Sequence, residues 1–80
     1  MKSQEAVIVR LKGLCIKKGM NTSKLAYISG VHPSTVKSII KGYSKNPGIA
    51  TIHKLCNGLE VSMREFFTDG IFEGLEQEIE

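Results

Sequence analysis

Residues 25–42 read LAYISGVHPSTVKSIIKG, two short helical patterns separated by a glycine. Leu25, Ala26 and Ile28 give the first pattern an apolar side, and Gly30 follows where a left-handed backbone costs little. Pro33 suits the first position of a second helix, after which Val36, Ile39 and Ile40 recur at helical spacing until Gly42. On a 3.6-residue wheel these three aliphatics share one arc facing a core. Ser34, Ser38 and Lys41 fall opposite, flanked by Thr35 and Lys37, and no acid occurs between Gly30 and Gly42. An outer side made of hydroxyls and lysines suits an anionic partner.

The charge of the whole chain points the same way. From Met1 to Lys54 ten Lys and Arg residues face one acid, a net charge of +9. From Leu55 to Glu80 a single Arg64 faces seven acids, so the chain as a whole carries only +3. A segment this basic attracts polyanions, nucleic acid or an anionic membrane surface, although a solvated lysine-rich surface accounts for charge alone equally well. The basic residues spread over several helices instead of lining one long amphipathic face, which disfavours a membrane surface. No apolar run is long enough to span a bilayer, and the start MKSQEAVIVR lacks a signal-peptide pattern. A cytoplasmic, nucleoid-associated location is expected.

Eighty residues suffice for one small core, and 41% hydrophobic content is enough to pack it. Val7, Leu11, Leu14 and Cys15 outline a first helix ended by Gly19, with Gly13 a weakness of about 1 kcal/mol inside it. Asn21 is a good N-cap for a second helix, Thr22 to Ser29, and the third runs from about Pro33 to Lys41. The segment YSKNPG reads as a loop. Ile49, Ile52, Leu55, Cys56 and Leu59 form the inward stripe of a fourth helix, and Ser62 with Glu65 reads as a capping box opening a fifth that carries Phe66 and Phe67. Nothing alternates like a strand. The expectation is an all-α, compact five-helix domain over residues 1–70, followed by an acidic amphipathic tail over 71–80. In that tail Ile71, Phe72, Leu75 and Ile79 alternate with Glu73, Glu76, Glu78 and Glu80. It is either a frayed end or an edge that docks a second copy together with Phe66 and Phe67.

Cys15 and Cys56 form no Cys-x-x-Cys and read as free buried thiols. His53 and Cys56 could share a helix face, but Cys15 and His32 would have to converge on them in a spacing that fits no zinc module. Neither metal nor cofactor is expected. With no phosphate loop, no nucleophile beside a base and no paired carboxylates outside the tail, the chain does not read as an enzyme.

Two helices joined by a tight turn, the second basic and hydroxylated outside, make a helix-turn-helix whose second helix is positioned for a DNA major groove. The ordered set Leu25-Ala26, Gly30-Val31, Val36, Ile39, Gly42, Pro47, Ile52, Leu59, Val61-Ser62 and Phe66 resembles the lambda-repressor/Cro-like, or XRE-type, DNA-binding domains. The resemblance runs from about Leu11 to Phe67. It implies base reading by Pro33, Ser34, Lys37 and Ser38, with His32 at the edge. It implies phosphate contacts from Asn21, Thr22, Thr35, Tyr43, Lys45 and Asn46. The implied function is a sequence-specific transcriptional regulator of a prokaryote, phage or mobile element, bound to double-stranded DNA. A homodimer through Phe66, Phe67, Ile71, Phe72 and Leu75 would place two recognition helices about 34 Å apart on a palindromic operator. The alternative is an antitoxin-type module whose acidic C-terminal part engages a protein partner while the domain autoregulates its own promoter.

Two departures from the family pattern matter. The family often pairs an arginine where Cys15 stands with an acid where Ile40 stands, and replacing both partners by apolar groups is often neutral or favourable. It also favours glutamine at the start of the second helix and polar residues early in the third, where Thr22 and Pro33 stand. With such short side chains, phosphate contacts and DNA shape are expected to supply much of the recognition.

Overall fold

The chain winds through α1 (Ser3–Lys18), α2 (Thr22–Ser29), α3 (Pro33–Ile40), α4 (Ile49–Gly58) and α5 (Met63–Phe67), then a single 3-10 turn (Gly70–Phe72). This computed structural model describes residues 1–44 and 46–77. The all-α, five-helix architecture is the expected one. Lys45, Glu78, Ile79 and Glu80 lie outside the described residues.

Local chemistry sets the helix ends. Asn21 accepts the Lys24 N–H at 2.8 Å, and Ser62 Oγ accepts the Glu65 N–H at 2.9 Å, the serine half of the predicted capping box. At the end of α3, Gly42 takes φ 81°. Its N–H then reaches Ile39 O at 3.1 Å while the Tyr43 N–H reaches Ser38 O at 2.9 Å. These two bonds satisfy carbonyls that the helix itself leaves open. After α4 the same closure is made by Glu60, a non-glycine residue at φ 58°, with Glu60 N–H to Asn57 O at 3.1 Å and Val61 N–H to Cys56 O at 3.0 Å. A side chain in that backbone region is strained. Glu60→Gly is therefore expected to raise stability by about 0.5–1 kcal/mol, after allowing for the extra unfolded-state freedom of glycine. The measurement is a higher urea midpoint at unchanged slope.

The core draws on every helix: Leu11, Leu14 and Cys15 of α1, Leu25 and Ala26 of α2, Val36 and Ile39 of α3, Ile52, Leu55 and Cys56 of α4, and Phe66 of α5. Val31, Leu59 and Val61 fill it from the connections. Two residues expected to face inward do not. Ile28 is 48% exposed and Ile49 67% exposed. Ile28 lies more than a quarter turn from the Leu25–Ala26 direction at about 100° per residue. Ile49, in the first turn of α4, lies on the rim of a depression it shares with Ile52 and Val7 and is left largely open to solvent.

Helix α2 runs close against α4 at Gly58. A Cβ there would collide with Ser29 Oγ and lie 3.1 Å from Ser29 Cβ. The Ser29 hydroxyl is itself buried with no hydrogen-bond partner among the described residues. Gly58→Ala is expected to cost about 1–3 kcal/mol by overpacking. Ser29→Ala is expected to be neutral or stabilising by about 1 kcal/mol, because it removes an unsatisfied buried group. Chemical denaturation of the two variants tests both signs.

The C-terminal segment joins the same body. Phe66, Phe67 and Phe72 form an aromatic cluster with centroid separations of 4.8, 5.0 and 6.0 Å. Phe72 packs on the core, Asp69 caps the 3-10 turn through the Ile71 N–H at 3.0 Å, and Glu76 N–H meets Met1 O at 3.1 Å. Phe66 is completely buried inside the domain. This corrects its assignment to a dimer edge, because a ring enclosed by its own chain offers no surface to a second copy. Phe67 stays exposed, while Ile71, Phe72 and Leu75 are half-buried. Among the described residues no helix is long and apolar enough to cross a membrane.

Candidate nucleic-acid interface

The turn between α2 and α3 is three residues long. Gly30 adopts φ 69°, the Val31 N–H closes on Ala26 O at 3.2 Å, and Val31 is buried. Ala26, also buried, brings α3 close to α2, and Val36 and Ile39 root α3 in the core. This leaves the other side of α3 open. Pro33, Ser34, Thr35 and Lys37 are exposed and Ser38 is half-buried, with His32 exposed at the entrance to the helix. The outward orientation of the serines and lysine is the one their spacing predicts.

His32 caps α3. Its Nδ1 accepts the Ser34 N–H at 3.1 Å and lies 2.7 Å from Ser34 Oγ. Around the helix, Ser34, Thr35, Ser38, Tyr43 and Ser44, all hydroxyl-bearing residues, line one open cleft. The backbone under this cleft is tied down twice, since Ser38 O accepts both the Tyr43 and Ser44 N–H groups. Gln4, on α1, fixes the far side: its Nε2 donates to Gly42 O at 3.0 Å and Ser44 O at 3.1 Å.

The predicted phosphate-contact residues do not all meet. Thr35 and Tyr43 share the hydroxyl cleft. Asn21 and Thr22 border a separate, mostly apolar groove with Lys12, Cys15, Ile16, Met20 and Ile40. Asn46 borders a third depression with Pro47, Ile49 and Phe67, and Lys45 lies outside the described residues. Sequence reasoning missed Ser44, whose one signal is its place beside Tyr43 in the loop, and Gln4, which gives no local signal.

Cys15 and Ile40, the positions of the missing arginine–acid pair, line the same groove, so each substitution removes the partner the other would have needed. Burial pushes the Cys15 and Cys56 thiols up from their ordinary range, opposed at Cys56 by the charge of Arg10. Neither is an activated thiolate. Among the described residues no three His, Cys, Asp or Glu side chains gather as metal ligands.

Residues 10–69 match the family model of the Cro/C1-type HTH DNA-binding domain. The chain belongs to that family. The XRE-type resemblance read from about Leu11 to Phe67 is thereby established, and the helix-turn-helix formed by α2 and α3 is that of a DNA-binding domain. The fold is also that of a solved structure, prophage Lp1 protein 11, with a TM-score of 0.80 and 32% identity over 94% of this chain and all of that one. No curated protein matches the chain.

Proposed function

We propose that this Cro/C1-type domain is a sequence-specific transcriptional regulator of prokaryotic, phage or mobile-element type, reading the major groove with α3 as a homodimer on a palindromic operator. The observation that carries this reading is the outer side of α3: lysine and hydroxyls in the open, no acid, and a rigid aliphatic root beneath. The likeness to a prophage protein supports a mobile-element setting. Such a protein works in the cytoplasm, on the nucleoid.

Pro33, Ser34, Lys37 and Ser38, with His32, take the base edges on this reading. Asn21, Thr22, Thr35, Tyr43, Lys45 and Asn46 take phosphates, joined by Ser44 of the hydroxyl cleft. Residues 1–70 serve DNA binding, and 71–80, with Phe67, Ile71, Phe72 and Leu75, supply the dimer edge. Lys37 has the longest reach of the base readers. Lys37→Ala is expected to weaken operator binding by about 1–3 kcal/mol and to relax sequence preference. Unchanged affinity and preference would remove it from the site.

Selection of bound duplexes from a random pool is the direct test. It should return a two-fold symmetric site with half-sites about one helical turn apart. A monodisperse monomer at high micromolar concentration, both free and on the selected site, would overturn the dimer. The exposed Glu73 and Glu76 favour a second reading, in which an antitoxin-type domain also holds a small basic protein. Its test is co-purification of that protein from the native source.

A further inference from the structure

We infer that Gln4 of α1 is a positioning residue for DNA binding, presetting the loop after α3 for the phosphate backbone; this rests on the reading that Tyr43 and Ser44 meet phosphates. Residues 41–48 join α3 to α4, and none of the described ones belongs to the buried core. Packing therefore does little to fix their path, which falls to hydrogen bonds. From the end of α3, Ser38 O accepts the Tyr43 N–H at 2.9 Å and the Ser44 N–H at 3.1 Å. From 38 to 40 residues away, Gln4 Nε2 donates to Gly42 O at 3.0 Å and to Ser44 O at 3.1 Å. Carbonyl oxygens can only accept, so the nitrogen of the amide is the end that faces them.

One amide thus holds the carbonyls of the residues on either side of Tyr43. Tyr43 itself is left 74% exposed, and Ser44 joins it beside Ser34, Thr35 and Ser38 in the hydroxyl cleft. Backbone carbonyls carry partial negative charge, and two free ones beside a phosphate would oppose it. Gln4 occupies both and leaves the side-chain hydroxyls to donate. A loop already in its bound shape loses less freedom on association, which is how preorganisation raises affinity. The effect is confined to the loop, because Asn21 and Thr22 line a groove to which Gln4 does not contribute.

The test uses the full chain and the duplex obtained by random-pool selection. Gln4→Ala and Gln4→Met both remove the donor, and the second keeps the length of the side chain. Gln4 lies outside the buried core and both replacements favour a helix, so circular dichroism should show the fold retained. Each variant should bind the duplex about tenfold more weakly, at an unchanged salt slope because the lost bonds release no cation. In a Tyr43→Phe, Ser44→Ala background the same replacements should cost less than about twofold, whereas in Thr22→Ala they should cost their full effect. Three results overturn the positioning role while leaving groove reading by α3 intact. They are binding by Gln4→Met within about twofold of wild type, an equal loss in every background, and loss of the fold with both variants. Unchanged affinity of Tyr43→Phe, Ser44→Ala removes the loop's phosphate contacts and this role with them. Failure to select any duplex overturns the reading of α3 as well.

Discussion

Replacing Arg10 by alanine lowers the free energy of unfolding by about 3 kcal/mol. The guanidinium lies 55 to 59 residues from its partners along the sequence. Its Nε donates to Phe66 O at 2.9 Å, its Nη2 to Glu65 O at 2.9 Å, and its Nη1 lies 3.4 Å from Asp69 Oδ2. Helix α5 has only five residues, far too few to persist by its own hydrogen bonds, and the carbonyls at its end have no partners within the helix. Arg10 supplies two of them from a side chain that is 19% exposed. A hydrogen bond to a charged group contributes about 1.5–3 kcal/mol. The Glu65 carbonyl also accepts the Thr68 N–H at 3.4 Å and is not orphaned once the arginine is gone, so the two bonds together are set near the lower end of their sum. The Asp69 carboxylate is 38% exposed, and its ion pair adds less than about 1 kcal/mol. Arg10→Lys should recover little, since an ammonium cannot span two carbonyls and a carboxylate at once. Urea denaturation followed by circular dichroism measures the loss. A loss below about 1 kcal/mol would show that the α5 carbonyls are equally well served by solvent.

The contrast between α3 and Arg10 shows what the sequence discloses. On α3 three aliphatics in eight residues fix which side is hidden, and everything polar is placed by elimination. The caps at Asn21 and Ser62 are equally local, which is why they are legible. Phe66 and Phe67 are adjacent aromatics on a helix too short for periodicity to separate the enclosed ring from the exposed one. Ile28 and Ile49 fit an apolar pattern but stay largely exposed, a matter of packing that a wheel does not contain. Gln4 and Arg10 act on backbone carbonyls 38 to 56 residues away. A carbonyl is common to every residue type, so nothing in the sequence marks which one will be met. The hydroxyl cleft is intermediate: Thr35 and Tyr43 were readable from the family resemblance, whereas Ser44 enters only because the turn after Gly42 folds it back onto α3.

Affinity for the selected operator falls about a thousandfold between 50 and 200 mM salt. On the proposed reading, Lys24 and Lys41, both exposed, join the phosphate contact Lys45 in displacing condensed cations from the duplex. In a dimer these make about six such neutralisations, and a slope of log affinity against log salt near about −5 follows. The hydroxyls of Thr35, Tyr43 and Ser44 release no cation, so they add affinity without steepening the slope. The described acids work in the same direction by their placement. Apart from Glu5 at the start of α1, they are Glu60, Glu65, Asp69, Glu73 and Glu76, which all follow α4, and neither α2 nor α3 contains one. The two helices of the helix-turn-helix thus carry no carboxylate that phosphate would repel. The slope also tests stoichiometry, because a monomer with the same three lysines would give about −3. For Lys37→Ala, a slope shallower by about 2 in the dimer identifies a phosphate contact, while an unchanged slope with altered base preference identifies base reading. A wild-type slope shallower than about −2 would contradict the electrostatic half of the proposed recognition.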